Sequence, residues 1–141
     1  LQELIDRILQ CQRFAVIGAS RDITKYGYLV YRSLKESGKT VYPVNPNADS
    51  IDGNRCYESL SKLPEVPQVV VLVVPPSVSE EAVLDCARLG IKLVWMQEGA
   101  ESEEAVQRCH QAGIEVVYGG PCIMVLLRTH GYWHHEMSSS N

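Results

Sequence analysis

Short apolar, β-rich runs alternate with stretches of helical spacing along the whole chain, and each run is bounded by Gly, Pro or Asn. Parallel strands need a crossover to reach one another. This alternation therefore restricts the chain to a parallel sheet covered by helices on both faces. Five runs read as strands: Phe14–Ile17, Thr40–Val44, Gln68–Val74, Leu93–Met96 and Glu115–Tyr118. The expected fold class is α/β, a doubly wound, five-stranded parallel sheet.

Helices fall between the runs. Leu4, Ile5, Ile8 and Leu9 recur at helical spacing before the first strand. Tyr28, Leu29, Val30, Tyr31 and Leu34 form a second helical run that stops at Gly38. Ser79-Glu80-Glu81 opens a third, which ends at Gly90, and Ser77 or Ser79 is expected to cap it. The fourth runs from Glu101 to Ala112, with Glu103 and Glu104 suited to a helix start. The third and fourth share one design, a closing Gly, then an Ile, then a strand.

At 141 residues the chain suits one domain, expected over 1–136, followed by a polar, Ser-rich tail at 137–141 expected to be disordered. The net charge of −4 excludes a broad basic surface, so no nucleic-acid partner is expected. The longest apolar run, Val69 to Pro76, is too short to span a bilayer, so no membrane partner is expected either. Five cysteines, spread out and never in a C-x-x-C pair, point to a reduced, cytoplasmic setting. The opening ten residues carry Glu3 and Asp6 and do not read as a signal peptide.

The segment from Phe14 to Gly27 joins a buried strand, a tight turn of small residues and a helix, the arrangement in which doubly wound folds hold nucleotides. Gly18 and Ala19 let a ligand approach the backbone, Ser20 adds a hydroxyl, and Arg21 and Lys25 add positive charge. The alternative is a plain turn with two solvated cations. The fingerprint G-x-G-x-x-G is not met, because Ala19-Ser20 follows Gly18 and the next glycine is Gly27.

The second strand ends Tyr42-Pro43-Val44-Asn45-Pro46-Asn47, with no acid before Asp49 to bond a ribose hydroxyl, which counts against NAD. Asn45-Pro46 also suits a simple strand-ending turn. The third strand runs into Pro75-Pro76-Ser77, whose prolines would make an apolar wall for an adenine or a pantetheine arm. The fourth runs into Gln97-Glu98-Gly99-Ala100. Four strand ends would thus line one crevice.

In this order and spacing, Val16-Ile-Gly-Ala-Ser-Arg with Lys25-Tyr26-Gly27, Tyr42-Pro-Val-Asn-Pro, Val73-Val-Pro-Pro-Ser, Gln97-Glu-Gly and Gly120-Pro-Cys122 resemble the coenzyme A-binding family. This is a Rossmann-like family related to the amino-terminal domain of the succinyl-CoA synthetase α subunit, and the match covers about residues 5 to 130. The resemblance implies that the loop from Gly18 to Lys25 meets the phosphates of coenzyme A. It also implies that Val74, Pro75, Pro76 and Ser77, with Met96, Gln97, Glu98 and Gly99, contact the rest of the ligand. Many relatives carry a Lys just after the Asn-Pro, where this chain has Asn47. Its contact is then lost or supplied by Arg21 or Lys25. The ligases of that family need a second domain, for which residues 1–141 leave no room, so the chain is expected to be the stand-alone binding module.

His130, His134 and His135 cluster with Tyr132 and Trp133, but neither H-E-x-x-H nor a Cys pair accompanies them, and no metal site is assigned. Cys122 follows Gly119-Gly120-Pro121 near the expected crevice, without a legible Cys–His–acid arrangement. It is expected to be structural or close to the ligand, and beside a thiol ligand it is a candidate for a mixed disulfide. No catalytic residue is assigned. The expected function is binding of coenzyme A or an acyl-CoA without a chemical step. The alternatives are an NAD(P)-dependent or acyl-CoA-processing enzyme, or an interaction module with a vestigial crevice. The expected partner is a small-molecule nucleotide, with a homodimer or a protein partner left open.

Overall fold

The computed structural model describes residues 1–132, so Trp133, His134, His135 and the tail 137–141 lie outside the described residues. In chain order the elements are α1 (Gln2–Gln10), β1 (Arg13–Ile17), α2 (Tyr26–Glu36), β2 (Thr40–Val44), a short hairpin of β3 (Ser50–Ile51) and β4 (Asn54–Arg55), and β5 (Val69–Leu72). They continue with α3 (Pro76–Leu89), β6 (Leu93–Met96), α4 (Glu103–Gln111), β7 (Glu115–Val117) and α5 (Ile123–Thr129). Five parallel strands form one sheet in the order β2-β1-β5-β6-β7. Val16 of β1 pairs with Pro43 on one side and Val71 on the other. Pro43 is accommodated because β2 is the outermost strand.

Alternate strand residues build two cores. Phe14, Val16, Val69, Val71, Trp95 and Val117 pack with Ile8 and Leu9 of α1, Val30 and Leu34 of α2, and Ile123 and Leu127 of α5. Ala15, Val70, Leu72, Val94, Met96 and Val116 pack with Ala82, Val83 and Cys86 of α3 and Ala105 and Cys109 of α4. All four residues of β5 are fully buried, as a central strand covered on both faces requires. Each large aliphatic side chain buried in this way stabilises the fold by about 1.5–3 kcal/mol.

The paired Gly-Ile closures behave as their sequences suggest. The N–H groups of Ile91 and Ile114 reach back five residues to the carbonyls of Cys86 and Cys109, the bond that ends a helix through a left-handed glycine. Ser102 caps α4 by accepting a hydrogen bond from Ala105 N at 3.0 Å.

Two expectations are corrected. The central strand ends at Leu72, although Val73 N still donates to Ile17 O at 2.9 Å. Helix α3 starts at Pro76, with Pro75 as the residue before it and no side-chain cap. Proline suits the first helical position because it has a preset φ and no N–H to satisfy there. Neither Ser77 nor Ser79 therefore acts as a cap. Among the described residues no helix is long and apolar enough to cross a membrane.

The winding of the sheet reverses between the parallel neighbours β1 and β5, since the connection from β1 runs outward to β2 and those from β5 run the other way to β6 and β7. The carboxyl ends of such neighbouring strands leave a crevice where ligands of open α/β sheets bind.

Candidate functional site

The crevice is built from glycines that bring two loops into contact. Gly18 follows β1 directly with φ +96°, and a Cβ there would stand 2.1 Å from Val73 O and 2.8 Å from a methyl of Val74. A Cβ on Gly27 would stand 1.9 Å from Gly18 O. A side chain at Gly18 would push the turn after β1 away from the turn after β5, and one at Gly27 would push α2 away from Gly18. Asn45, at the end of β2, ties its strand to this loop by donating from Nδ2 to Ala19 O at 2.8 Å. Its Oδ1 accepts from Asn47 N at 2.8 Å, so its amide is committed to the protein itself.

Helix α2 starts at Tyr26 with no side-chain cap and no acid in its first turn. Its first N–H groups and the positive end of its dipole thus face the crevice unneutralised. Arg21 and Lys25 are exposed and make no ion pair among the described residues. Asp22, which sequence reasoning did not weigh, is turned onto the loop. Its Oδ1 accepts from Thr24 N at 2.9 Å and Thr24 Oγ1 at 2.7 Å, and these bonds hold its carboxyl below the usual range. Ser20 Oγ accepts from Asp22 N at 3.0 Å.

Beyond the loop, Gln97 is fully buried and bonds across three elements. Its Oε1 accepts from Ile123 N at 2.9 Å, and its Nε2 lies 2.9 Å from Tyr26 Oη and 3.4 Å from Cys122 Sγ. Tyr26 Oη and Cys122 Sγ are 2.9 Å apart. Burial, and then the bond to Cys122, push the Tyr26 hydroxyl up to about 12. Trp95 Nε1 donates to Pro121 O at 3.1 Å and fixes the backbone beside Cys122.

The CoA binding domain family matches residues 12–128, a span that contains every element of this crevice. The chain belongs to that family.

Parts of larger chains share its sequence. This CoA binding domain is 41% identical over 80 residues to an ADP-forming acetate–CoA ligase of Archaeoglobus fulgidus, a match covering 55% of this chain and 12% of that one. It is 34% identical over 90 residues to the α subunit of an ADP-forming acetate–CoA ligase of Pyrococcus furiosus, covering 63% of this chain and 20% of that subunit. Among solved structures, a conserved hypothetical protein of Pyrococcus furiosus is 42% identical, with a TM-score of 0.77 and coverage of 82% of this chain and 98% of that one. A hypothetical protein of Pyrococcus horikoshii is 32% identical, with a TM-score of 0.86 and coverage of 92% and 91%.

Within this CoA binding domain the singled-out residues fall into four groups. Gly18, Ala19, Ser20, Arg21, Lys25, Tyr26, Gly27, Asn45 and Val74 converge at the switch between β1 and β5. Pro75, Pro76, Ser77, Glu98 and Gly99 are exposed along the same edge of the sheet. Met96 and Gln97 point inward instead, Met96 into the core beneath α3 and α4. Pro46 lines a separate cavity of 440 Å³ with Arg55, Tyr57 and Lys62, and with the acids Asp49 and Glu58. Sequence reasoning missed Arg55 and Tyr57, because only the bridge between Val44 and Tyr57 places that segment beside β2. A cavity of 510 Å³ lined by Glu101, Glu103 and His110 lies along α4 and is acidic, an unsuitable setting for polyphosphate.

Among the described residues no group of three His, Cys, Asp or Glu side chains is arranged to hold a metal. His130 instead lies beside Leu126 O, Gln2 and Asp6, where it joins the end of α5 to α1.

Proposed function

We propose that this domain binds coenzyme A or an acyl-CoA, with the phosphates over the loop from Gly18 to Gly27. One observation carries the proposal. Gly18 and Gly27 bring an uncapped helix start against the sheet edge, flanked by two cations without ion-pair partners among the described residues. Backbone N–H groups of α2 would meet phosphate oxygens, with Arg21 and Lys25 neutralising the remaining charge. Pro75 and Pro76 would flank the apolar arm of the ligand. Met96 and Gln97 would act from behind, by shaping the crevice wall. The sequence likeness to acetate–CoA ligases supports a coenzyme A ligand. Five unpaired cysteines support a cytoplasmic setting.

Calorimetry with coenzyme A, dephospho-CoA, NAD and NADP tests this reading. Coenzyme A is expected to bind tightest, and tighter binding of NAD overturns it. Mass spectrometry of small molecules released from the purified protein identifies the ligand independently.

A further inference from the structure

Tyr26, Gln97 and Cys122 come from three elements and meet beside the crevice, yet phosphate binding requires none of their side-chain bonds. Their hydrogens can be assigned from the heavy atoms. Gln97 Oε1 is occupied by Ile123 N–H, which fixes the amide and leaves Nε2, a donor only, facing Tyr26 and Cys122. Tyr26 Oη therefore accepts from Nε2. Its own hydrogen is then free for the sulfur 2.9 Å away. Two donors converge on Cys122 Sγ, and a proton on that sulfur would compete with them.

Such surroundings favour a thiolate. Burial pushes the Cys122 thiol up, but the bonds from Tyr26 and Gln97, with backbone bonds at Val125 and Met124, outweigh it and hold the thiol below the ordinary cysteine value. Burial pushes Cys11, Cys56, Cys86 and Cys109 the other way. Cys122 is only half-buried, as is Cys11, whereas Cys56, Cys86 and Cys109 are buried, and of the two accessible thiols only Cys122 receives the Tyr26 and Gln97 side chains.

We infer that Cys122 is a thiol–disulfide exchange site, and that its substrate is the disulfide form of the thiol ligand the crevice binds. The inference rests on the coenzyme A reading above. The Cys122 thiolate attacks one sulfur of coenzyme A disulfide. A bond forms between Cys122 Sγ and that sulfur, the original S–S bond breaks, and the second coenzyme A leaves with the electron pair as a thiolate that water protonates. One disulfide is consumed and one is made, so no further oxidant is required. Tyr26 is a positioning residue whose hydroxyl donates to the attacking sulfur and so favours its thiolate form.

The reduced protein is incubated with coenzyme A disulfide or with glutathione disulfide and followed by intact mass and peptide mapping. The expected result is a single coenzyme A adduct on Cys122, formed at least tenfold faster than the glutathione adduct, reversed by dithiothreitol and absent from Cys122→Ser. Equal rates with the two disulfides, or an adduct elsewhere, overturn the inference. Calorimetry of the reduced wild-type protein with coenzyme A separates the two readings: binding without an adduct sinks this inference alone, and no binding sinks the parent reading too. Tyr26→Phe is expected to move the pH of half-maximal alkylation by uncharged iodoacetamide upward. An unchanged profile overturns the role given to Tyr26, and the wild-type rates stand as a test even if that variant does not fold.

Discussion

The carbonyl oxygen of Gly18 lies 1.9 Å from the point that a Cβ on Gly27 would occupy, so α2 can start against the sheet only because residue 27 lacks a side chain. The obstructing atom belongs to the backbone and cannot rotate away. Gly27→Ala is therefore expected to destabilise the domain by about 1–3 kcal/mol, the usual range for overpacking. It is also expected to weaken coenzyme A binding more than that loss explains. Urea unfolding and calorimetry on the same preparation measure the two effects.

Arg21 and Lys25 are exposed and have no carboxylate partners among the described residues, so removing them should leave the fold intact. Arg21→Ala with Lys25→Ala is expected to weaken coenzyme A binding by more than tenfold, above about 1.4 kcal/mol. Raising the salt concentration should reduce the wild-type affinity and narrow the difference. Unchanged affinity in the double variant would move the phosphates elsewhere.

Gln97 has no exposed surface, and it satisfies the backbone N–H of Ile123. Gln97→Leu leaves that buried donor unpaired and is expected to cost about 1–3 kcal/mol of stability. The urea midpoint should fall with little change in slope. A midpoint equal to wild type would show that the amide contributes nothing net to stability.

Cys86 and Cys109 face one another across α3 and α4, and burial pushes both thiols up to about 12. In the unfolded chain they ionise near pH ~8.5. Their folded values are raised, so the stability they contribute is complete below that pH and is lost as pH rises toward about 12. Unfolding midpoints should fall across this alkaline window. Cys86→Ala with Cys109→Ala should flatten the fall, and a slope as steep as wild type would assign it to other groups.

The local elements were legible because their determinants are local. The buried alternation of Phe14 to Ile17, the left-handed closures at Gly90 and Gly113, and the small residues at Gly18 and Gly27 each declare themselves within a few positions. One local reading failed for a local reason. The serines at 77 and 79 resemble caps, but a proline already in helical φ at Pro76 lets α3 start earlier.

The composition of the loop after β1 was legible to the same depth. The sequence by itself determined that a glycine turn would carry two cations at the first strand's end. That phosphate loop is an expectation of neighbouring residues. Only the tertiary structure decided that β1 would lie beside β5, that Asn45 would spend its amide on Ala19, and that Tyr26, Gln97 and Cys122 would meet. The last three are separated by 71 and 25 positions in the chain. No periodicity links residues so far apart. Their juxtaposition follows from the order of strands in the sheet, which sets which loops share an edge.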